Sequence, residues 1–441
     1  MKALITLFAF FFSTALFAQL QTPDWVKNAT IYEINVRQFS KDGSLNGVKE
    51  QLPRLKQMGV DIIWLMPIHP IGELNRKGSL GSYYAVRDYR EVNPEFGTKE
   101  DFKTLVEAAH ALGMKVILDW VANHTSPDHV WIEQGHLNWY TLDANGNVQP
   151  TLGTDWTDVA DLNFDNTEMR AEMIDCMLGW VRDYDIDGFR CDVAGWVPID
   201  FWKQARTELD RTKPIFMLAE AEGNELHQAF EMTYGWELHH IMNDIAQGKQ
   251  GASAIHDFFA KQNLPNNGFQ MNFTSNHDEN SWNGTEMERL GQARFCFAVF
   301  AATVEGMPLV YNGQETSLDR RLKFFEKDPI DWNAMDLVSF YQVLLNLHQN
   351  HPALAVGKGQ TKPRFLTKKT DQKVLAYVRE NAGEKVLVFL NFSAEEQTIT
   401  IKDPSLVGLY ADVFKGLPLN MKATHQEKLG PWGYSVYVLK K

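Results

Sequence analysis

What this chain has little of narrows its chemistry before any motif is read. Only three cysteines, Cys176, Cys191 and Cys296, occur among 441 residues. Three cannot form a disulfide framework, and a chain of this length needs none to fold. All three fall in apolar stretches, the setting of buried free thiols. Closely spaced histidine ligands of the HxH or HExxH kind are absent, and His239 and His240 are adjacent, so they point apart on either a strand or a helix. That removes the commonest sequence signs of metal-assisted hydrolysis. Basic residues are in deficit, 43 Lys and Arg against 56 Asp and Glu, for a net charge of −13. A surface of that sign repels phosphate backbones, which excludes nucleic acid as the main ligand. There are no internal repeats and no low-complexity segment, and beyond the first eighteen residues no apolar run is long enough to span a bilayer.

Those first residues stand apart. Met1-Lys2 precedes an almost wholly apolar run from Ala3 to Ala18, and polar residues begin at Gln19. One positive charge, a short apolar stretch and a small residue before a polar exit read as a secretory signal peptide over 1–18. The run is shorter than the ~20 residues a membrane anchor requires, and no basic stop follows it. The expectation is an exported protein, periplasmic or extracellular, that leaves the membrane once its leader is removed.

What is present is a rhythm. From residue 29, short β-rich runs alternate with amphipathic helices. Strands are expected at 31–38, 61–66, 115–121, 188–193, 215–221, 270–275 and 309–311. An eighth is expected around 238–245, where helix and strand signals conflict. Helices are expected at 48–58, 99–112, 167–184, 198–209 and 289–304, the second capped by Thr98 and ended by Gly113. Strand–helix alternation on this scale argues for a parallel sheet, and eight units would close a (β/α)₈ barrel over 24–352. Residues 124–166 are too long for a plain connection and read as a small inserted domain. After Pro352 the texture becomes that of an antiparallel β-sandwich domain, 353–441, with strands at 374–378, 385–391, 397–401 and 434–439.

In such a barrel, catalytic groups collect where strands end. Asp119 follows Val116-Ile117-Leu118, Arg190 and Asp192 share a face of the fourth expected strand, Glu220 follows Phe216-Met217-Leu218-Ala219, and His277-Asp278 follows Phe273-Thr274-Ser275. Any one aspartate after a strand reads equally as a helix cap. Four strand ends carrying carboxylates do not, because gathering like charges away from water costs several kcal/mol per ion unless they are paired. Arg190 is the cation that would keep Asp192 ionised. Carboxylates with one arginine and two histidines suit glycoside hydrolysis, which needs one carboxylate and one carboxylic acid, better than metal chemistry or proton abstraction from an anion. Tyr83, Tyr84, Trp120, Trp131, Trp139, Trp156, Trp196 and Trp282 could supply stacking faces for sugar rings, with about half of them expected in the core.

These residues resemble the signatures of the α-amylase family of retaining glycoside hydrolases, a clan that includes α-glucosidases and cyclomaltodextrinases. Asp119-Trp120-Val121-Ala122-Asn123-His124-Thr125 is similar to the first, Gly188-Phe189-Arg190-Cys191-Asp192 to the second, Leu218-Ala219-Glu220-Ala221 to the third and Thr274-Ser275-Asn276-His277-Asp278 to the fourth. Tyr32 and Arg37, Tyr84 ahead of Asp88-Tyr89, and the 306–315 segment agree with it, in order, from about 29 to 320. The resemblance implies a TIM barrel with a small domain B and a C-terminal β-sandwich. It also implies that Asp192 is the nucleophile, Glu220 the general acid/base and Asp278 the stabiliser of the transition state. Arg190 would hold Asp192 charged, Tyr84, His124 and His277 would contact the sugar at the cleavage point, and Asp119 would organise the floor.

Two departures and a match shape the expectation. Where many relatives carry a Lys-His pair beyond the cleavage point, this chain has Gly195-Trp196, so Trp196 is expected to stack on a single ring of the leaving group. The 159–163 segment lacks the usual proline of its signature. The family often holds structural calcium through residues matching Asn123 and Asp161; a hydrogen-bonded Asn–Asp pair is the alternative. No organic cofactor is expected. The expected substrate is α-1,4-linked maltooligosaccharide or soluble α-glucan. Val193, after the nucleophile, keeps an α-1,6 preference open, and transglycosylation uses the same residues. A non-catalytic glucan-binding protein is disfavoured because all three acids are present.

Overall fold

The computed structural model describes residues 20, 22–265 and 267–440, so the expected leader, 1–18, lies outside the described residues. Eight short parallel strands close a barrel: β1 Ile31–Ile34, β2 Ile62–Leu65, β3 Lys115–Trp120, β4 Gly188–Cys191, β5 Phe216–Ala219, β6 Met232–Tyr234, β7 Phe269–Asn272 and β8 Met307–Tyr311. Each pairs with its neighbours in chain order, and Ile31 opposite Leu309 completes the ring. Ile31, Ile62, Ile117, Phe216, Phe269 and Met307 fill the interior, while Ile63, Val116, Phe189 and Met217 turn outward against the helices. Apolar side chains are needed on both faces, so the strands read as continuous apolar runs.

The expected strands 188–193, 215–221 and 270–275 end two or three residues early, and the ring departs furthest from the expected one at two others. The expected strand 31–38 stops at Ile34, and Val36–Phe39 is one helical turn. Tertiary contacts set that turn: the Asn35 N–H donates to Asn312 Oδ1 at 2.6 Å, and Arg37 bends away to pair with Glu95 at 2.7 Å. The eighth strand is not at 238–245, which belongs to the helix Trp236–Ala246. The strand is β6, three residues long and separated from that helix by Gly235 alone. Three residues are too few to show a period of two, whereas the helix after them shows its own period clearly.

The helix Lys99–Ala111 begins as expected, with Thr98 and Asp101 forming a reciprocal capping box. The expected helix 289–304 is broken instead, into Glu286–Leu290 and Arg294–Thr303, because Gly291 at φ +55 interrupts it. Between β3 and the helix Thr167–Tyr184, the chain forms a small antiparallel pair, His124–Thr125 with Ala160–Asp161, over a core of Trp131, Trp139 and Tyr140. The C-terminal region is a six-stranded antiparallel sheet with a two-stranded ribbon, Gln397–Lys402 with Thr424–Leu429. Ala376, Val378, Leu387 and Phe389 face the ribbon, whereas Leu375, Tyr377, Val388 and Leu390 join the barrel's core. The three cysteines are buried and free. Among the described residues no helix is long and apolar enough to cross a membrane.

Gly188 opens β4 where a Cβ would stand 1.9 Å from the carbonyl oxygen of Phe216 on β5. That oxygen belongs to the ladder and cannot yield. Gly188→Ala is expected to lower stability in urea unfolding by about 3 kcal/mol or more, the upper end of overpacking costs. Gly179, inside the helix Thr167–Tyr184, would place its Cβ in open space. Gly179→Ala is expected to raise stability by about 0.5–1 kcal/mol.

Candidate active site

The barrel register creates the site. Across β3 and β4, Asp119 is paired with Arg190, and Arg190 is paired in turn with Leu218 on β5, two residues before Glu220. The Arg190 guanidinium is fully buried and meets three carboxylates: Asp119 Oδ1 at 2.8 Å and Asp192 Oδ1 at 3.0 Å from Nη1, and Glu220 Oε1 at 2.6 Å from Nη2. Its Nε donates to the Tyr234 hydroxyl at 3.2 Å, and its cationic carbon sits 5.1 Å from the Trp64 ring. Asp119 accepts from Trp64 Nε1 and from the Tyr84 hydroxyl, both at 3.1 Å. It is therefore fixed from three sides and closed to solvent, the floor of the site.

His277 is held by a second chain of contacts. Nδ1 bonds the Glu33 carboxylate, Nε2 lies 2.8 Å from the Tyr84 hydroxyl, and Asp278 Oδ2 is 3.3 Å away. Burial alone would lower its pKa, but the Asp278 and Glu33 carboxylates pull it up to about 9. As an imidazolium it donates from both ring nitrogens, which leaves the Tyr84 proton for Asp119. The Tyr84 and His277 rings are stacked at 5.5 Å. His124 behaves oppositely: burial pushes its pKa down to about 4, so it faces the site as a neutral ring.

After β4 the chain turns sharply, and Val193 takes φ +35, unusual for a β-branched residue and costing about 1–3 kcal/mol. The turn aims the Val193 N–H at Glu220 Oε2, 2.8 Å away. Burial drives the Glu220 carboxyl up to about 8 and that of Asp192 up to about 6, with Arg190 opposing both shifts; the Asp192 charge adds to the rise of Glu220 and the Asp119 charge to that of Asp192, while a hydrogen bond from Glu220 holds Asp192 down. Two carboxyl groups on one guanidinium, one keeping its proton and the other losing it first, form an acid and a base poised side by side. Asp278, with its side chain 35% exposed, completes the mouth.

These groups line one cleft of about 630 Å³ with Tyr84, His124, Val193, Trp156 and Trp282. Glu222, which two residues after Glu220 would share its face if the strand continued, is not among them. The strand ends at Ala219, so its alternation does not carry Glu222 to the same face. Glu222 accepts from the Glu237 N–H at 3.1 Å and lines a separate groove of about 1130 Å³ between barrel helices and the C-terminal sheet. Trp196 stands outside the cleft lining, 56% exposed and stacked on Trp156 at 5.5 Å. Of the eight candidate aromatics, Tyr83, Trp120, Trp131 and Trp139 are core.

Asn123 and Asp161 also lie outside the cleft lining. Asn123 Nδ2 donates to Thr151 Oγ1 at 3.0 Å, and the hydroxyls of Thr151 and Thr141 donate to the two Asp161 oxygens at 2.9 and 2.7 Å. Calcium takes six to eight oxygens, largely from carboxylates and carbonyls. Here a single carboxylate has both oxygens turned to threonine hydroxyls, and among the described residues no three His, Cys, Asp or Glu side chains converge as ligands. The residues as they stand do not form a calcium cage.

Sequence reasoning missed Glu33, Trp64 and Tyr234, which hold His277, Asp119 and Arg190 in place. Glu33 carried a signal, a lone acid in an apolar strand. Tyr234 carried none, because its strand was unread.

The pair Asp192 and Glu220 should set the pH profile. With Asp192 as the expected nucleophile and Glu220 as the expected acid, the first has to be ionised and the second protonated, so kcat/KM is expected to fall below about pH 6 and again above about pH 8. A flat profile between pH 5 and 9 would contradict this electrostatic order.

A model of the alpha-amylase catalytic domain matches residues 27–339, and one of the maltogenic amylase C-terminal domain matches residues 364–436. Alpha-amylase MalA of Haloarcula japonica is 27% identical to this chain over 86% of it, and the chain spans 57% of that relative's length. The crystal structure of a noncanonic maltogenic alpha-amylase, AmyB, from Thermotoga neapolitana matches with a TM-score of 0.85 and 31% identity, covering 94% of this chain and 99% of that one. An alpha-amylase structure from Lactobacillus plantarum matches at 0.84 and 32%, covering 94% and 100%.

Proposed function

The chain belongs to the alpha-amylase family of glycoside hydrolases, and from that premise we propose that it cleaves α-1,4-glucosidic bonds in maltooligosaccharides or soluble α-glucan with retention of configuration. One observation carries the reading: Asp192 and Glu220 share the Arg190 guanidinium at 3.0 and 2.6 Å, with the proton favouring Glu220. A shared guanidinium keeps the two carboxyl groups close, which supports the narrow separation of about 5–5.5 Å that retaining enzymes require.

In the proposed mechanism, Asp192 attacks the anomeric carbon while Glu220 gives its proton to the glycosidic oxygen. The C–O bond breaks, the leaving chain departs as an alcohol, and the sugar is left esterified to Asp192. Glu220, now a carboxylate, takes a proton from water, whose oxygen displaces Asp192. Two inversions restore the configuration. Asp278 stabilises the positive charge developing on the ring, Tyr84 stacks on that sugar, His124 donates to a hydroxyl of it, and His277, its two N–H groups held by Glu33 and Tyr84, contacts it from the cleft wall. No step passes through a metal. Val193 lines the cleft beside the nucleophile, and the α-1,6 reading rests on it.

Initial rates on maltotriose, isomaltotriose, pullulan and soluble starch test the linkage, with ¹H NMR reading the anomer released first. The expected result is preference for the α-1,4 substrates, an α-anomer at early times, and a loss of at least about 10³-fold in Asp192→Asn with its fold intact. A β-anomer overturns the retaining mechanism. Isomaltotriose as best substrate makes Val193 the better guide.

Export is part of the same proposal. The apolar run 3–18 supports it. Protein recovered from the native host is expected in a soluble exported fraction with a new N-terminus near Gln19. A membrane-bound chain still starting at Met1 refutes it.

A further inference from the structure

The cleft has unlike ends. In the ring of strands, β5 lies opposite β1, and β2 and β8 flank β1. On the proposed reading of this site, Glu220 leaves β5 and must face the departing oxygen, so the leaving chain lies toward β5. The sugar that Asp192 captures, and any rings before it, extend toward the connections that follow β2 and β8.

Those connections meet. Lys77, after β2, reaches the inserted domain: its Nζ lies 3.1 Å from Asp158 Oδ1 and 3.2 Å from the Asp155 carbonyl oxygen. The Asp158 side chain is only 5% exposed, so a chain passing here would strip a nearly buried carboxylate of its cation. The residues after Lys77 are clamped as well. A Cβ on Gly78 would stand 2.4 Å from Phe325 Cβ, the Ser79 N–H donates to Glu326 at 2.8 Å, and the Leu80 N–H donates to the Phe325 carbonyl at 3.1 Å. Phe324, from the same connection after β8, stacks on Tyr84 at 6.1 Å and carries Trp282 against it at 5.2 Å. Lys77, Asp158, Phe324 and Phe325 all line the catalytic cleft.

We propose that the Lys77–Asp158 ion pair, backed by Phe324 and Phe325, is an end wall on the glycone side, so that the enzyme works from the non-reducing ends of α-glucan chains and releases short fragments. The proposal rests on the hydrolase reading above and adds the mode of attack. A wall there admits only a few rings ahead of the cut.

A pair of 4-nitrophenyl maltoheptaosides, one free and one blocked by a ketal at its non-reducing end, tests it. Wild type is expected to cleave the free substrate at least about a hundredfold faster than the blocked one, and to give one or two short sugars early from soluble starch. Lys77→Ala is expected to narrow that ratio to about tenfold or less and to broaden the early products into a ladder. Lys77→Met, which keeps the stem and loses the charge, is expected to do the same and serves if the alanine variant does not fold. Equal cleavage of both substrates by wild type overturns the wall while leaving the hydrolase reading intact, as does an unchanged ratio in a folded Lys77 variant. Failure to cleave either substrate or any other α-glucan overturns the hydrolase reading and the wall with it.

Discussion

The Arg190 guanidinium is the contact on which the site depends. It is fully buried, and within 3.0 Å it meets carboxylates arriving from three consecutive strands, Asp119 after β3's apolar run, Asp192 after β4 and Glu220 after β5. Without it, three acids in a closed space would repel one another and each would cost several kcal/mol to keep charged. With it, the acids differ. Asp119 is tied to Trp64 and Tyr84 and plays no open part, while Asp192 and Glu220 face the cleft with their proton affinities separated.

The barrel makes that arrangement affordable. A guanidinium has a fixed fork, so its partners must be placed to within a fraction of an ångström. Paired strands supply that precision: Asp119 is locked beside Arg190 by the ladder, and Gly188, where no side chain fits, lets β5 approach closely enough for Glu220 to reach the same cation. Val193 then accepts an unfavourable φ so that its N–H meets the second Glu220 oxygen. Around this centre, His277 and Tyr84 relay hydrogen bonds from Glu33 to Asp119 and stiffen the wall of the cleft.

The surroundings decide which molecules reach that centre. The residues that shape access come from connections rather than strands: Lys77 after β2, Trp156 and Asp158 in the inserted domain, Trp282 after β7, and Phe324 and Phe325 after β8. Related barrels can keep the centre and change the substrate through such segments, because the strand ladder does not constrain them.

The amino-acid sequence by itself determined the barrel, the C-terminal β region and the acids at the strand ends. Each rests on a local pattern: an apolar run, a helical period, or a polar residue just past a strand. Asp119, Arg190, Asp192, Glu220 and Asp278 were legible because a charge beside an apolar run is conspicuous. Tertiary structure alone decided the rest. It made β6 a three-residue strand and 238–245 a helix, turned Arg37 out of β1, and sent Glu222 to another groove while Glu220 stayed at the mouth. It surrounded Asp161 with threonine hydroxyls, left Trp196 outside the cleft lining, and brought Lys77 to Asp158. These depend on contacts between residues far apart in the chain, and such contacts leave no period or spacing in the sequence from which they could be read.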